Sequence, residues 1–225
     1  MSDRKKTKPT GTTGPTVLTN KPQGNTAEFR KLEFPRVKED IEQFVVRGFL
    51  RAAIENQFFR ASEVEASQNE QDNFDFSLKI QGTLKSLELM EIAPLEHLRT
   101  TYVKAPNSYK PYDFAKRIFE EAMAKSLRYR TSNKGGLILL AYVTDWHFIL
   151  SSTVVALLQY WLCHTMHSFE AVYCYSPIEQ DSGVLEVFYP TPKEFWMSFN
   201  PESYRENVVT NLPASGWEVV GGPTS

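Results

Sequence analysis

Residues 73–92, which read Asn73-Phe-Asp-Phe-Ser-Leu-Lys-Ile-Gln-Gly-Thr-Leu-Lys-Ser-Leu-Glu-Leu-Met-Glu-Ile92, decide the fold. Apolar and polar residues alternate on both sides of Gln81-Gly82. A glycine-containing pair between two alternating runs is typical of a β-hairpin. The sequence therefore predicts two antiparallel strands, the second of which ends before Pro94.

Amphipathic helices are predicted on both sides of this hairpin. Apolar residues recur at steps of three and four in residues 37–59 and again in residues 112–129, which predicts a helix in each stretch. A third helix, capped by Ser151 or Ser152, is predicted to run to residue 166.

The remaining predicted strands complete a central sheet. Residues 137–143 are continuously apolar, as in a strand covered on both faces. Residues 169–175 and 184–189 predict two strands around a turn at residues 181–183, whereas the polar residues 62–71 predict a loop. Strands interleaved with helices pack as a sheet between helical layers. The predicted fold class is mixed α/β, with a central sheet flanked by helices.

The composition excludes several classes of protein. Of the 225 residues, 41% are hydrophobic and 13% are aromatic, which excludes disorder along the full length. Lys and Arg number 25 against 27 Asp and Glu, so a globally basic nucleic-acid binder is excluded and a local basic patch is not. The two cysteines, Cys163 and Cys174, are too few for a disulfide scaffold. This usage fits a reducing compartment, so a cytoplasmic location is expected.

Three regions are predicted along the chain. Residues 1–26 are rich in Thr, Pro, Gly and Lys and carry a net charge of +4, which predicts a disordered basic tail and not a secretory signal. Such a tail can contact nucleic acid or an acidic partner, or it can be a solubilising linker. Residues 27–190 are predicted to form the nuclease-like α/β domain discussed below, and residues 191–225 a C-terminal extension that packs on it.

The segment nearest to a membrane span is residues 148–163, a run of 16 residues without a formal charge. A helix needs roughly 20 predominantly apolar residues to cross a bilayer. Polar residues interrupt the run, and no basic cluster follows it. A buried strand followed by a buried helix explains the low charge of the wider segment, residues 135–169, better, so no membrane partner is expected.

Acidic residues in the hairpin carry the strongest chemical signal. Asp75 lies at the start of the first strand, Glu88 lies within the second, and Glu91 follows it. Burial of a carboxylate is costly unless the group is paired, protonated or bound to a cation. Mg²⁺ prefers carboxylate oxygens and keeps several waters, one of which can act as a nucleophile. Asp75 and Glu88 are therefore predicted to bind Mg²⁺.

The arrangement resembles the PD-(D/E)XK restriction-endonuclease-like superfamily over residues 37–190. There, a helix with an inward acid is followed by Asp on one strand and Glu on the next, and then by a helix, a strand and a helix. The resemblance implies a magnesium-dependent nuclease that hydrolyses DNA or RNA phosphodiesters. It assigns Asp75 as the metal-binding Asp, Glu88 as the acid of the (D/E)XK element, and Glu42 or Glu55 as the helix acid.

The chain departs from the family at the motif lysine, because Met90 stands two residues after Glu88. In the family this lysine orients the attacking water and stabilises charge on the phosphate. Glu91 can replace Glu88 as the working acid, and strand alternation places these two on opposite faces. A neighbouring helix can supply the missing cation. Lys125 is the candidate catalytic residue for this role, and Lys116 and Arg128 are the alternatives.

Other interpretations of the same residues stay open. Without a replacement cation, the chain is a catalytically silent member of the fold, retained as a binding or assembly module. Alternatively, Asp75 and Glu88 face solvent on an exposed hairpin and pair with Lys79 or Lys85.

The densest basic stretch after the tail lies between residues 104 and 134. It contains eight cations: Lys104, Lys110, Lys116, Arg117, Lys125, Arg128, Arg130 and Lys134. Four of them are the predicted nucleic-acid contacts: Lys116, Arg117, Arg128 and Arg130. Phosphate contact by such a stretch makes affinity fall steeply with salt.

Three further segments invite a functional interpretation. Residues 163–167, Cys-His-Thr-Met-His, can hold a metal through two histidines or can be ordinary helix-end residues. Residues 145–147, Asp-Trp-His, follow a buried strand, where α/β sheets often carry function. Residues 195–204, called the aromatic segment below, can dock on a protein partner as part of an unrelated α/β interaction domain. A homodimer is a separate alternative for the chain.

Overall fold

The computed structural model describes residues 13–14, 16–21, 24–29, 31–60, 64–69, 74–92, 108–129, 136–145, 148 and 150–210. The strands are β1 (Thr16–Lys21), β2 (Gly24–Phe29), β3 (Val64–Gln68), β4 (Phe76–Ile80), β5 (Thr83–Ile92), β6 (Ser108–Tyr109), β7 (Leu137–Val143), β8 (Phe169–Glu179), β9 (Ser182–Tyr189) and β10 (Val209–Thr210). The α-helices are α1 (Lys38–Glu55), α2 (Pro111–Tyr129) and α3 (Ser152–His164), and two 3-10 helices span Lys193–Trp196 and Pro201–Tyr204.

A six-stranded mixed sheet forms the centre of the fold, in the order β3-β4-β5-β7-β8-β9. β3 and β5 both run antiparallel to β4, which lies between them. β5, β7 and β8 are parallel, and β9 returns antiparallel to β8. The β4–β5 turn is made by Gln81 and Gly82, both with positive φ, as expected of a two-residue hairpin. The parallel pairs are joined through α2 and α3, because a parallel connection must cross from one end of the sheet to the other.

Helices cover both faces of this sheet, which confirms the predicted mixed α/β class. α2 and α3 pack on one face, where Met90 and Leu139 belong to the buried core. α1 packs on the opposite face, against Leu89 and Leu140 among others. All seven residues of β7 are buried, since helices lie above and below that strand.

The uncharged run at residues 148–163 contributes α3 to the first of these layers. Ser151 caps the helix, because its Oγ accepts a hydrogen bond of 3.4 Å from the Val154 amide. Leu157, Leu158 and Leu162 are buried against the sheet. None of the helices within the described ranges is long and apolar enough to cross a membrane.

β3 forms where the sequence predicts a loop. Residues 62–71 were expected to be a loop, but β3 pairs with β4 from Val64 to Gln68. This prediction is wrong because β3 is an edge strand with a mostly exposed, polar surface, so it is held by its backbone ladder and carries little apolar signal. Backbone hydrogen bonds to β4 stabilise β3 as a strand, although its side chains show no strand pattern.

The β1–β2 hairpin lies largely within the residues expected to form a disordered tail. The two strands pair from Thr16↔Phe29 to Lys21↔Gly24. Close to its base, the Leu32 amide donates a hydrogen bond of 2.7 Å to the Thr13 carbonyl. Composition averaged over 26 residues conceals the local β-forming run at residues 16–19, Thr-Val-Leu-Thr. The expectation of disorder over residues 1–12 falls outside the described residues.

Candidate functional site

Glu88 is a buried carboxylate with two protein donors. It shares a face of β5 with Met90, towards α2 and α3, and only 4% of the residue is exposed. Lys125 Nζ donates to Glu88 Oε1 at 2.5 Å, and the Tyr129 hydroxyl donates to Oε2 at 3.0 Å. Each carboxylate oxygen therefore has a hydrogen-bond donor from α2.

The last turns of α2 deliver both donors because Lys125 and Tyr129 are four residues apart and lie on one face of the helix. The Phe74 ring packs against the Tyr129 ring, with 4.6 Å between their centroids. Burial, together with the negative charge and hydrogen bond of Glu88, raises the pKa of Tyr129 to about 12. The hydroxyl consequently stays protonated at neutral pH and remains a donor to the carboxylate.

Asp75 lies in a bend immediately before β4. Its Oδ2 accepts a hydrogen bond of 2.8 Å from the Leu89 backbone amide. The β4–β5 ladder ends at Phe76↔Leu87, so the side chain of Asp75 extends the hydrogen bonding of β5 beyond the strand that pairs with it. One oxygen of this predicted metal ligand is thus engaged by the backbone.

The inward acid of the first helix is Glu42. It is 6% exposed, whereas Glu55 is exposed to solvent. Lys38 Nζ lies 3.1 Å from Glu42 Oε1. Burial lowers the pKa of Lys38, but the hydrogen bond and charge of Glu42, followed by the charge of Asp75, outweigh it and raise that pKa above its ordinary value. The ammonium therefore lies in the field of two candidate acids.

Glu91 points to the opposite face of the sheet from Glu88, as strand alternation predicts. The buried Thr144 hydroxyl, just after β7, donates a hydrogen bond of 2.8 Å to Glu91 Oε1. The next residue, Asp145, is 1% exposed. The accompanying prediction for residues 146 and 147 lies outside the described residues.

The described ranges contain no group of three or more His, Cys, Asp or Glu side chains placed to hold a metal ion. Glu88 and Glu42 are instead paired with lysines, and Asp75 with a backbone amide. This donor set does not fit Mg²⁺ as it is arranged, because the cation would have to displace Lys125 from Glu88. The predicted Mg²⁺ site at Asp75 and Glu88 stays a prediction.

Comparisons with protein-family models, with curated proteins and with solved structures found no match for this chain. The resemblance to the PD-(D/E)XK superfamily rests on residues and element order alone. The order of the main elements is helix, three antiparallel strands, helix, parallel strand and helix.

The interpretation of Asp75 and Glu88 as exposed hairpin residues is wrong. Glu88 is buried, and the two lysines expected as partners bind other acids. Lys79 Nζ lies 3.6 Å from Glu65, and Lys85 Nζ lies 2.5 Å from Glu170. Lys85 lies three residues before Glu88 on β5, so strand alternation places the two side chains on opposite faces.

Most described cations of the basic stretch are balanced by acids. On α2, Lys116 lies 4.0 Å from Glu120, and the Arg117 guanidinium lies 3.2 Å from Glu121. The Arg128 guanidinium lies over the Tyr129 ring, 5.9 Å from its centroid. Lys110 pairs with Glu206 at 2.7 Å. The other three candidates, Lys104, Arg130 and Lys134, lie outside the described residues.

The histidines at the end of α3 bind separate backbone groups. The His164 ring nitrogen Nδ1 donates to the Tyr160 carbonyl at 2.8 Å, and His167 Nε2 donates to the Leu162 carbonyl at 3.1 Å. The Cys163 thiol contacts Thr191. These contacts fit the helix-end interpretation of residues 163–167.

The aromatic segment folds back on α3 and leaves two apolar side chains outside. Trp196 and Phe199 pack near Tyr160, with ring centroids 6.5 and 5.3 Å from it. Phe195 and Met197, on either side of Trp196, are 72% and 88% exposed. Part of the segment is therefore internal packing, and part is an exposed apolar surface.

Sequence reasoning identified Lys125 but missed the other groups that satisfy the acids. The available signal for Tyr129 was its spacing of four from Lys125, which places both on one helical face. Lys38 had a local signal of the same kind, its spacing of four from Glu42 on α1. The role of Thr144 depends on a contact between distant elements, which no local pattern predicts.

Proposed function

We propose that this chain is a catalytically silent α/β module that assembles with a second copy through its aromatic segment. The observation that carries catalytic silence is that both carboxylate oxygens of Glu88 already accept hydrogen bonds, one from Lys125 and one from Tyr129. A carboxylate held in this way stabilises the packing of α2 on the sheet. It is not prepared to bind a metal or to activate water.

Met90, which stands at the position of the motif lysine, supports catalytic silence. Met90 is 5% exposed and belongs to the apolar core beneath α2 and α3. A lysine there would have to bury its ammonium among apolar side chains, which is costly without a partner. The local environment favours an apolar residue at this position.

The charge distribution on α2 also supports a role without phosphodiester binding. Nucleic-acid affinity depends on cations that are free to neutralise phosphates. Lys116 and Arg117 have acidic neighbours one turn along the helix, and Lys125 is paired with Glu88. The described part of the predicted basic patch carries little unbalanced positive charge.

The exposed apolar part of the aromatic segment provides the assembly surface. Phe195, in the 3-10 helix Lys193–Trp196, and Met197, directly after that helix, are exposed, whereas Trp196 between them packs against Phe199. Contiguous exposed apolar patches mark interaction sites, and we propose that Phe195 and Met197 form one. Homodimer interfaces are the more apolar class of interface, and a twofold axis lets one patch cover its own copy. A second copy is therefore the proposed occupant.

Sedimentation velocity of the full chain over a range of concentrations tests the assembly. We expect the wild type to form dimers and the Phe195→Ser/Met197→Ser variant to remain monomeric. Leu127→Ser is the matched control, because Leu127 is 68% exposed on α2, outside the aromatic segment. A wild type that stays monomeric at all concentrations, or a control that dissociates equally, overturns the assembly proposal.

A metal-dependent nuclease is the second candidate, and one observation favours it. The Lys125 ammonium lies at Glu88, so α2 supplies a cation close to the motif position where β5 lacks one. Nicking of supercoiled DNA and cleavage of RNA in Mg²⁺ or Mn²⁺ test this candidate. Cleavage that disappears in both Asp75→Ala and Lys125→Ala, with the fold retained, supports the nuclease and overturns catalytic silence.

A further inference from the structure

Residues 201–210, called the strap below, lie against the N-terminal end of α2. The strap begins with the 3-10 helix Pro201–Tyr204, which is also the end of the aromatic segment, and it finishes with β10. β10 pairs antiparallel with β6, the two-residue strand that comes just before α2. None of the side chains of the 3-10 helix is buried. The strap therefore adds little of its own to the core.

Polar and charged side chains fasten the strap to the start of α2. The Tyr112 hydroxyl donates a hydrogen bond of 2.7 Å to Glu202 Oε1, and Lys110 Nζ donates one of 2.7 Å to Glu206 Oε2. The Arg205 guanidinium lies 2.7 Å from Glu202 Oε2 and over the Tyr112 ring, 5.3 Å from its centroid. Both carboxylates of the strap are thus engaged, one of them with two partners.

These fastenings are exposed to solvent, which distinguishes the strap from the core. The Glu206 and Arg205 side chains are 81% and 58% exposed. Exposed ion pairs contribute little to stability and are screened by salt. Segments with few buried apolar contacts open locally at a lower free energy than core strands and helices. We therefore expect the strap to open before the rest of the fold does.

The closed strap covers aromatic surface. Tyr112, which the strap contacts, is buried and meets the Trp161 ring edge to face, with 5.3 Å between centroids. Tyr204, in the strap, stacks on the Phe199 ring at 5.4 Å. Opening of the strap would uncover the Tyr112 ring and one face of Phe199.

We propose that the strap is a cover held closed by its charged contacts, and that it opens as a unit to expose aromatic surface. As a regulation of assembly the strap rests on the proposed function, because Phe199 lies within the aromatic segment. The opening itself concerns one chain and needs no partner. Salt favours the open strap because it screens the contacts of Glu202 and Glu206.

Hydrogen exchange of the dilute full chain, followed by nuclear magnetic resonance at fixed pH, tests the opening. The reporters are the strap amides of Arg205 and Asn207, which donate to backbone carbonyls, and the amides of the β6–β10 ladder. Between about 10 mM and about 1 M NaCl the Debye length falls from about 30 Å to about 3 Å. We expect the reporters to exchange faster together, by about two- to tenfold, while the amides of β7 do not respond.

A pair of matched variants makes the test specific. Glu202→Gln/Glu206→Gln removes the strap carboxylates and should exchange at low salt as the wild type does at high salt. The control is Glu120→Gln/Glu121→Gln, which removes two carboxylates from exposed pairs on α2 and leaves the strap contacts intact. The control should keep the slow exchange and the salt response of the wild type.

Two results overturn the strap. One is exchange of the wild-type reporters that does not change with salt, and the other is equal acceleration by the strap variant and its control. The wild-type salt series needs no substitution, so the test stays decisive if a variant fails to fold.

Sedimentation velocity tests the regulation separately. Because the open strap exposes Phe199 within the aromatic segment, the strap variant should have a lower dimer dissociation constant than the control. An equal or higher constant overturns the regulation of assembly. Exchange reports the opening in the single chain, so failure of the strap and failure of the proposed function are distinguishable.

Discussion

Lys125 on α2 and Glu88 on β5 form a salt bridge of 2.5 Å, with only 6% of the Glu88 side chain exposed. Removing one partner of such a buried pair leaves an uncompensated charge, which typically costs about 3–5 kcal/mol. We expect Lys125→Met to lower the free energy of unfolding by about this amount, or somewhat less because Tyr129 remains bonded to Glu88. Urea denaturation followed by circular dichroism measures the change.

Two comparisons make this result specific. Lys116→Met removes an exposed pair on the same helix and should cost less than about 1 kcal/mol. Lys125→Met/Glu88→Leu removes both charges and should recover most of the lost stability. Equal destabilisation by Lys125→Met and Lys116→Met would contradict the structural role of the Glu88 pair.

Tyr129 contributes a hydrogen bond to the same carboxylate. Hydrogen bonds to charged groups contribute about 1.5–3 kcal/mol, so Tyr129→Phe should destabilise the fold by this amount near neutral pH. The pKa of Tyr129 is raised to about 12, above the ordinary value of 10.0, so its contribution is present below pH 10 and is lost as the pH rises towards 12. The stability difference between wild type and Tyr129→Phe should therefore shrink over that range.

A pH series of urea denaturations measures this difference. Comparing the two proteins cancels the contribution of Tyr175, whose pKa burial also raises to about 12. A difference that stays constant from pH 8 to pH 12 would refute the hydrogen bond between Tyr129 and Glu88.

Gly48 on α1 allows the close approach of Tyr175. A Cβ at position 48 would collide with the Tyr175 hydroxyl and lie 2.6 Å from its Cζ atom. In an exposed helix interior, Gly→Ala stabilises by roughly 0.5–1 kcal/mol. Here we expect the opposite sign, a loss of about 1–3 kcal/mol in thermal or urea unfolding, because the site becomes overpacked.

The control for Gly48→Ala is Arg47→Ala at the adjacent exposed position, which should change stability little. Tyr175→Leu in the Gly48→Ala background should relieve the collision, so the two substitutions should be less damaging together than their separate effects predict. A stabilising Gly48→Ala would show that α1 lies farther from Tyr175.

The sequence was sufficient to predict the elements whose periodicity is strong. The hairpin around Gln81-Gly82, the uninterrupted run of β7 and the stripe of α2 each carry their own pattern, and each forms where it was predicted. β3 was missed because it is polar and gains its order from β4. A local sequence pattern predicts an element that buries its own side chains. It does not predict an element such as β3, which is stabilised by its neighbouring strand.

The same distinction applies to which parts of the candidate site could be predicted from the sequence. Alternation along β5 correctly separated Glu88 from Glu91, since it depends on backbone geometry alone. The pairing of Glu88 with Lys125 and Tyr129 depends on how α2 lies across the sheet, which no local pattern contains. For this reason the acids were found from the sequence, whereas most of the donors that satisfy them were not.

Nucleic-acid binding by α2 should be weak and should depend little on its cations. Lys116 and Arg117 are already paired with acids, so few counterions would be released from DNA or RNA. We expect fluorescence anisotropy to show no loss of affinity in Lys116→Ala/Arg117→Ala relative to wild type. Tight binding by the wild type, with a salt dependence that is smaller in the double variant, would contradict the balanced charge of α2.

Calorimetric titration of Mg²⁺, repeated with Mn²⁺, into wild type, Asp75→Ala and Glu88→Gln tests catalytic silence most directly. Because Lys125 and Tyr129 satisfy Glu88 and the Leu89 amide binds Asp75, we expect no binding heat that depends on either acid. Binding in the wild type that disappears in both folded variants would contradict it, placing the two carboxylates at a shared metal site.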